Sequence, residues 1–393
     1  MLIEFSVSNF RSIKTKQTFS MAAEKPHKEV RCVLDTGFKA APSVLECAAI
    51  YGPNGSGKSN VILAVEFFQE FVITSSRERE PGQPISVIPF LFSKDDKSQP
   101  SEFEIVFVHK EYLFQYGFIL DKEMIHKEWL YATPQTSARQ SAQTWLLRDR
   151  LKSKKEWVIR KELKGEKEVW KESTRDEALF LSTAVHLNSQ DFGIPFEWIR
   201  KKLITMGGQY RLSPDYTESK VRSENEDKAK IVSFMKRFDV SFEDIHIDQN
   251  SKLFSKYTFI ENQEYLLPFE EESEGTKLLF AFSGPILSIL ENGGIFIVDE
   301  LERSLHPLAF QGIVDLFQDR HFNKNNAQLI FTSHNTTIMN MMDRDQIWLI
   351  DKSEMRASEL VSVADFKGRP DEVVEKRYLT GRYAALPRIK DFI

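Results

Sequence analysis

The chain has 393 residues, 41% of them hydrophobic, with a formal net charge of -5 and two cysteines, Cys32 and Cys47. That length suits two or three domains, or one large α/β domain with an insertion. The acidic balance does not point to nucleic acid. Two cysteines without metal-ligand spacing exclude a disulfide scaffold or zinc site and suggest reduced thiols in the cytoplasm.

In chain order, Met1 to Lys14 alternates apolar and polar residues, as a strand does, and lacks a signal peptide's apolar core. Val44 to Tyr51 reads as a buried strand. Gly52, Gly57, Lys58 and Ser59 then fit G-x-x-x-x-G-K-[ST], a pattern met by chance on the order of once in a hundred chains of this size. From Asn60 to Val72, apolar residues recur at helical spacing. Strand, glycine loop, helix is the context in which backbone N–H groups and a helix N-terminus cradle phosphates. Asn54, Gly55, Ser56, Gly57, Lys58, Ser59 and Asn60 are the candidate nucleotide contacts, with Lys58 on the β- and γ-phosphates and Ser59 on Mg2+.

Residues 76–100, rich in Pro and charge, read as an exposed loop, and Glu102 to Leu120 as paired strands. In residues 145–172 basic residues exceed acidic ones by four, interspersed with Trp145, Trp157 and Trp170. That segment is either a solvated hairpin or helix pair, or a partner or nucleic-acid surface. Residues 174–238 read mostly helical, with a polar loop at 213–224 and no heptads. The longest apolar stretch, Leu278 to Leu290, is interrupted by Ser283, Gly284 and Pro285, and no run reaches membrane-helix length.

Ser273 and Gly275 open that helix and could bind an anion or merely cap it. Ile295 to Val298 is an apolar strand that ends in Asp299, placed to hold Mg2+, and Glu300, placed to polarise a water. Gln328 to Thr332 is another such strand, ending in Ser333-His334-Asn335, where His334 can meet a γ-phosphate. Gln346 to Ile350 is one strand more. Expected divisions are 1–110 for the N-terminal part of a phosphate-loop α/β domain, 111–245 for an α+β insertion, and 246–393 for the C-terminal part of that domain.

In this order the pieces resemble the ABC-class ATPases of the SMC and RecF type. "IEFSVSNFRSIK" looks like their opening strand, which implies that Asn9-Phe10-Arg11-Ser12 lies near the nucleotide, with Arg11 a contact. "YGPNGSGKS" is similar to Walker A, "ESEGTK" to the signature motif, "IFIVDE" to Walker B, "LERSLHP" to the D-loop and "TSHN" to the His switch. The chain most resembles the AAA15-type ATPases, which include RloA and AbiLi proteins and the ATPase of PARIS anti-phage systems. "PFLF", "PSEFEIVF", "YGFIL", "EWLY", "LFLSTAVHLN" and "YLTGRYAALP" carry that likeness.

The resemblance implies a mixed sheet flanked by helices and two heads joined head to tail around ATP and Mg2+. Lys58 and Ser59 of one copy then face Ser273 and Gly275 of the other. It also implies a separately encoded effector, such as a TOPRIM-like nuclease or a toxin. A glutamine is usual after the phosphate-loop helix; Gln69 and Gln83 are candidates, and neither sits in a motif. Fewer than fifty residues follow Ile350, too few for a TOPRIM domain on this chain. Three functions stay open: a defence regulator, a DNA-repair ATPase acting directly on DNA, and a transporter subunit. The opening strand and the insertion argue against the last.

Overall fold

The computed structural model describes all residues except 25–32, 78–81, 94–95, 137–139, 152–155, 208–212, 224, 251, 260–262, 368–372, 384 and 387–393, and the side chain of Asn225. Cys32 lies outside the described residues; Cys47 is buried.

The first part of the chain forms β1 (Leu2–Ser8), β2 (Gln17–Ser20), β3 (Val33–Asp35), β4 (Ser43–Leu45), β5 (Cys47–Tyr51) and α1 (Lys58–Thr74). The stretch expected as one strand from Val44 to Tyr51 is two, broken at Glu46: β4 pairs with β3, while β5 enters another sheet. A meander follows, with β6 (Ser101–His109), β7 (Tyr112–Leu120), β8 (Ile125–Pro134), β9 (Gln143–Asp149) and β10 (Glu156–Ile159). These strands join β1 and β2 in a seven-stranded antiparallel sheet ordered β10-β9-β8-β7-β6-β1-β2. The expected boundary at 110/111 falls in the turn of the β6–β7 hairpin, which pairs from Ser101 opposite Leu120 to His109 opposite Tyr112. Strands expected in the insertion therefore continue the sheet that β1 begins.

The helical middle comprises α2 (Lys167–Ser173), α3 (Phe180–His186), α4 (Gln190–Lys202), β11 (Leu203–Met206), α5 (Asp215–Ser223) and α6 (Asn225–Arg237). Two expectations change here. Leu203–Met206 is a strand, paired parallel with Ile295–Val298, and the expected polar loop at 213–224 is mostly α5. The α5 helix is polar outside, but Thr217 and Val221, four apart on one face, are buried.

The remainder forms β12 (Asp244–Ile247), β13 (Leu253–Thr258), β14 (Glu264–Pro268), α7 (Glu274–Asn292), β15 (Ile295–Val298), α8 (Pro307–Gln318), β16 (Gln328–Ser333), β17 (Ile347–Lys352), β18 (Ser358–Ser362) and α9 (Val374–Leu379). A six-stranded sheet runs β11-β15-β16-β5-β17-β18, parallel except for β18. Its central strands are buried on both faces, which is why they read as unbroken apolar runs.

Alternate residues serve two cores. Ala48, Ile50, Ile295, Ile297 and Ile330 join a core shared with α1 and the antiparallel sheet; Ala49, Tyr51, Phe296, Val298 and Phe331 join one shared with α7 and α8. Helix α1 thus lies between two sheets, and Phe68 stacks on Phe118 across the gap at 5.3 Å. Burying a phenylalanine there stabilises by roughly 1.5–3 kcal/mol. Gln328, fully buried, stitches the layers: its side chain bonds Leu2 N at 2.6 Å, Leu2 O at 3.1 Å and Leu45 O at 2.9 Å.

Pro285 lies inside α7 and has no N–H for the carbonyl of Ala281. The Thr217 hydroxyl donates to that carbonyl at 3.3 Å and accepts from Gly284 N at 3.2 Å. A polar helix is thereby docked on an apolar one, and α5 becomes one wall of a cleft.

Candidate functional site

Because β5, β15 and β16 are parallel, their carboxyl ends lie along one edge of the sheet, where α/β folds place ligands. The β5 strand runs into the loop 52–57 and then into α1, whose N-terminal boundary residue is Gly57 at φ 112°. A side chain at Gly57 would be strained, and its Cβ would lie 2.2 Å from Ser358 Oγ. Lys58 is buried and donates to Gly52 O at 2.8 Å and Pro53 O at 3.3 Å. Burial pulls its ammonium below the usual lysine range, and the nearby charges of Asp299, Glu300 and Glu302 oppose that.

Asn54, Gly55 and Ser59 are exposed, whereas the Ser56 side chain is buried. Asn60 Nδ2 donates to Ser12 Oγ at 2.6 Å, Ser12 Oγ meets Ser358 Oγ at 2.7 Å, and Ser358 Oγ donates to Ser56 O at 2.5 Å. This chain of bonds ties the loop to the N-terminal turn and to β18. The side chain of Asn60, one of the expected nucleotide contacts, thus takes part in bracing the loop. Asn9 braces as well: its amide donates to Asp96 O at 2.9 Å and Gln99 O at 2.7 Å and accepts from Phe90 N at 3.0 Å. Within the segment 76–100, expected as an exposed loop, Ile85, Val87 and Phe90 are buried and Phe90 N is pinned by Asn9.

At the ends of β15 and β16, Asp299 N donates to Met206 O at 2.9 Å, which joins the β11 edge to the acids. Gly207 follows with φ 123°, and a Cβ there would lie 2.5 Å from Asp299 Cβ. Glu300 is exposed with φ 53°, its amide held by Thr332 Oγ1 at 2.8 Å. His334 is also exposed, and its amide donates to Glu302 Oε1 at 2.5 Å.

A cleft of about 1240 Å³ opens over this edge. Of the expected site residues, Arg11, Ser59, Asp299 and Glu300 line it, together with Glu274 and Lys277 of α7 and Arg303 and Ser304 of the following turn. The other expected residues, Asn54, Gly55, Ser56, Gly57, Lys58 and Asn60 of the loop and Ser273, Gly275 and His334, do not line it. Ser273 is exposed and caps its own helix, accepting from Thr276 N at 3.1 Å. Arg11 lies over the Phe10 ring, and its Nε is buried without a hydrogen bond, so a ligand oxygen would satisfy it.

Gln69 is committed elsewhere: its amide donates to Ile199 O and Leu203 O, both at 2.8 Å. Gln83 is exposed. Among the described residues no group of three or more His, Cys, Asp or Glu could hold a metal. The Ser59 hydroxyl and the Asp299 carboxylate, two oxygens on one cleft, do suit an ion that shares its shell with phosphates and water. The basic segment with tryptophans at 145–172 does not form a stacking surface: Trp145 and Trp170 are buried and Trp157 packs on the core. No helix among the described residues is long and apolar enough to cross a membrane.

The sequence reading passed over Thr332, Ser358 and Gly207 as site residues. Gly207 alone has a local trace in the sequence, as part of the Gly207-Gly208 pair that interrupts an otherwise helical reading.

The sequence profile of a family described as "AAA domain, putative AbiEii toxin, Type IV TA system" matches residues 47–340. Among solved structures, the "SMC head domain from Thermotoga maritima" is similar at 13% identity and TM-score 0.44, covering 92% of this chain and 98% of that one. The "SmcHead bound to the C-winged helix domain of ScpA" is similar at 11% identity and TM-score 0.44, covering 92% and 97%. No curated protein matches the chain. The profile begins on β5 and spans the phosphate loop, Asp299 and His334, and the chain therefore belongs to that AAA-domain family.

Proposed function

We propose that this cleft binds ATP with Mg2+ and hydrolyses the ATP, and that two copies associate head to tail around it. The nucleotide state would then govern a separately encoded effector in anti-phage defence. The observation that carries the reading is the meeting of Arg11, Ser59, Asp299 and Glu300 on one cleft; Lys58, next to Ser59 in the chain, is held on the loop carbonyls rather than in the cleft lining.

In this reading the loop amides and Lys58 hold the β- and γ-phosphates, and Lys58 exchanges its two loop carbonyls for phosphate oxygens. Arg11 takes a further phosphate oxygen with its unused Nε. Ser59 and Asp299 would hold Mg2+, which supplies neutralisation of the charge on the transferring phosphoryl group. Glu300 orients a water and takes its proton as the water oxygen bonds to the γ-phosphorus and the bond to the β-phosphate oxygen breaks. His334 contacts the γ-phosphate. Support for the dimer comes from Ser273, which is exposed at the N-terminus of α7 and, unlike Glu274 and Lys277 of the same helix, does not line the cleft of its own chain. Support for the defence role is the resemblance of the sequence over nearly its whole length to anti-phage ATPases.

The test is an ATP titration followed by a hydrolysis assay on the wild type, and then affinity purification of Glu300→Gln with ATP from its native locus. A co-purifying protein at fixed stoichiometry supports the regulator. Nucleic acid alone, lost as salt rises, would favour direct action on DNA.

A further inference from the structure

Strand β16 reaches both acids of the cleft with one hydroxyl. Thr332 is fully buried, and its Oγ1 lies 2.6 Å from Asp299 Oδ1 and 2.8 Å from Glu300 N. An amide can only donate, so the hydroxyl accepts from Glu300 and sends its single proton to the Asp299 carboxylate. The direction of both bonds is therefore fixed. Asp299 is thus held at Oδ1 as an acceptor.

The same hydroxyl steadies an unfavourable backbone. Glu300 has φ 53°, a region a side chain other than glycine's enters at a cost, and the bond to Thr332 holds its amide there. Two further bonds stitch the strand end to the acids: Leu301 N to Thr332 O at 3.3 Å and His334 N to Glu302 Oε1 at 2.5 Å. Residues 332–334 and 299–302 thus form one cross-linked unit.

We propose that Thr332 is the positioning residue of the site, setting the metal-side carboxylate of Asp299 and the water-side carboxylate of Glu300 with a single hydroxyl. It touches neither nucleotide nor water and acts through the two acids; the inference rests on the ATP reading above. Valine has nearly the same shape and lacks the hydroxyl, and serine keeps it.

The experiment compares wild type, Thr332→Val and Thr332→Ser. It measures ATP affinity without divalent metal, Mn2+ binding to the ATP complex by electron paramagnetic resonance, and hydrolysis against Mg2+ concentration. Thr332→Val should bind metal-free ATP within about twofold of wild type, because its phosphate contacts are intact. Its Mn2+ affinity and its kcat should each fall about 10- to 100-fold, as for other partners of metal-holding carboxylates. Thr332→Ser should restore most of both. If Thr332→Val does not fold, Thr332→Cys, of similar volume and a weak donor, is read the same way. A variant lacking the hydroxyl with wild-type Mn2+ affinity and kcat overturns the inference and leaves the ATP reading standing. So does a serine variant as impaired as valine at equal melting temperature, which would make the role one of packing. A wild-type protein that binds no ATP takes down both.

Discussion

The carboxyl edge of the parallel sheet and the start of α7 differ in how their polar groups are held. At the carboxyl edge of the parallel sheet, polar groups are buried and cross-braced. Lys58 holds two loop carbonyls, Ser12 and Ser358 brace the loop, and Thr332 fixes the acids. At the start of α7, Ser273 is exposed and bonded only within its own first turn. The neighbouring β14 leaves Tyr265 52% and Leu266 48% exposed, and Phe259, against Tyr265, is 60% exposed. Exposed apolar groups beside an exposed helix N-terminus are features of contact surfaces. The contrast teaches that the sheet edge holds its polar groups by bonds from several elements, whereas the start of α7 lends Glu274 and Lys277 to the same cleft and keeps Ser273 on the surface, capping its own helix.

The largest expected effects strike the sheet edge. Glu300→Gln should keep ATP affinity and lose about 10²–10⁴-fold in kcat. Hydrolysis at the wild-type rate would place the base elsewhere. Next, Lys58→Ala should weaken ATP binding by about 10- to 150-fold, since it removes a buried charge-assisted contact worth roughly 1.5–3 kcal/mol. Calorimetric titration reads it; ordinary affinity would mean the loop is only a turn.

A smaller effect belongs to the start of α7. Ser273→Ala should cost about 1 kcal/mol in capping α7. If the helix serves a second copy, the protein concentration giving half-maximal hydrolysis should also rise several-fold. Melting curves and a concentration series separate the two; a loss of stability alone would confine Ser273 to its helix.

The smallest effect lies away from both regions, at Glu46. Burial pushes its carboxyl up to about 7, while Arg320, with Nη2 3.1 Å from Oε1, pulls it back. The ordinary value is 4.5, so between there and about 7 the unfolded chain releases a proton that the folded chain keeps. This group's contribution is full below about 4.5 and falls as pH rises through about 7. Glu46→Gln should therefore melt a few degrees above wild type at pH 8 and alike near pH 4.5, as a pair of calorimetric scans would read. Equal melting at pH 8 would mean that Arg320 fully offsets the burial.

What the sequence disclosed follows the same contrast between local and distant causes. The phosphate loop, α1, the acids after β15 and the paired strands from Glu102 to Leu120 were legible, because glycine spacing, apolar periodicity and buried runs are local signals. The break at Glu46 was not, since it depends on β3 and the parallel sheet competing for adjacent residues. Helix α5 looked like a loop because its anchor is the carbonyl that Pro285 frees in α7. Ser358 braces Ser56 from 302 residues away, and no spacing within its own strand announces it. Thr332 was visible as a strand residue, but its reach to Asp299 depends on β15 lying beside β16.

The most direct measurement of the central claim is sedimentation velocity of Glu300→Gln with Mg2+ and either ATP, ADP or no nucleotide, beside the same protein carrying Ser273→Arg. The expected result is a dimer with ATP only, lost when the bulky cation replaces Ser273. A protein that binds ATP and stays monomeric at every concentration, or a dimer indifferent to Ser273, would contradict the account.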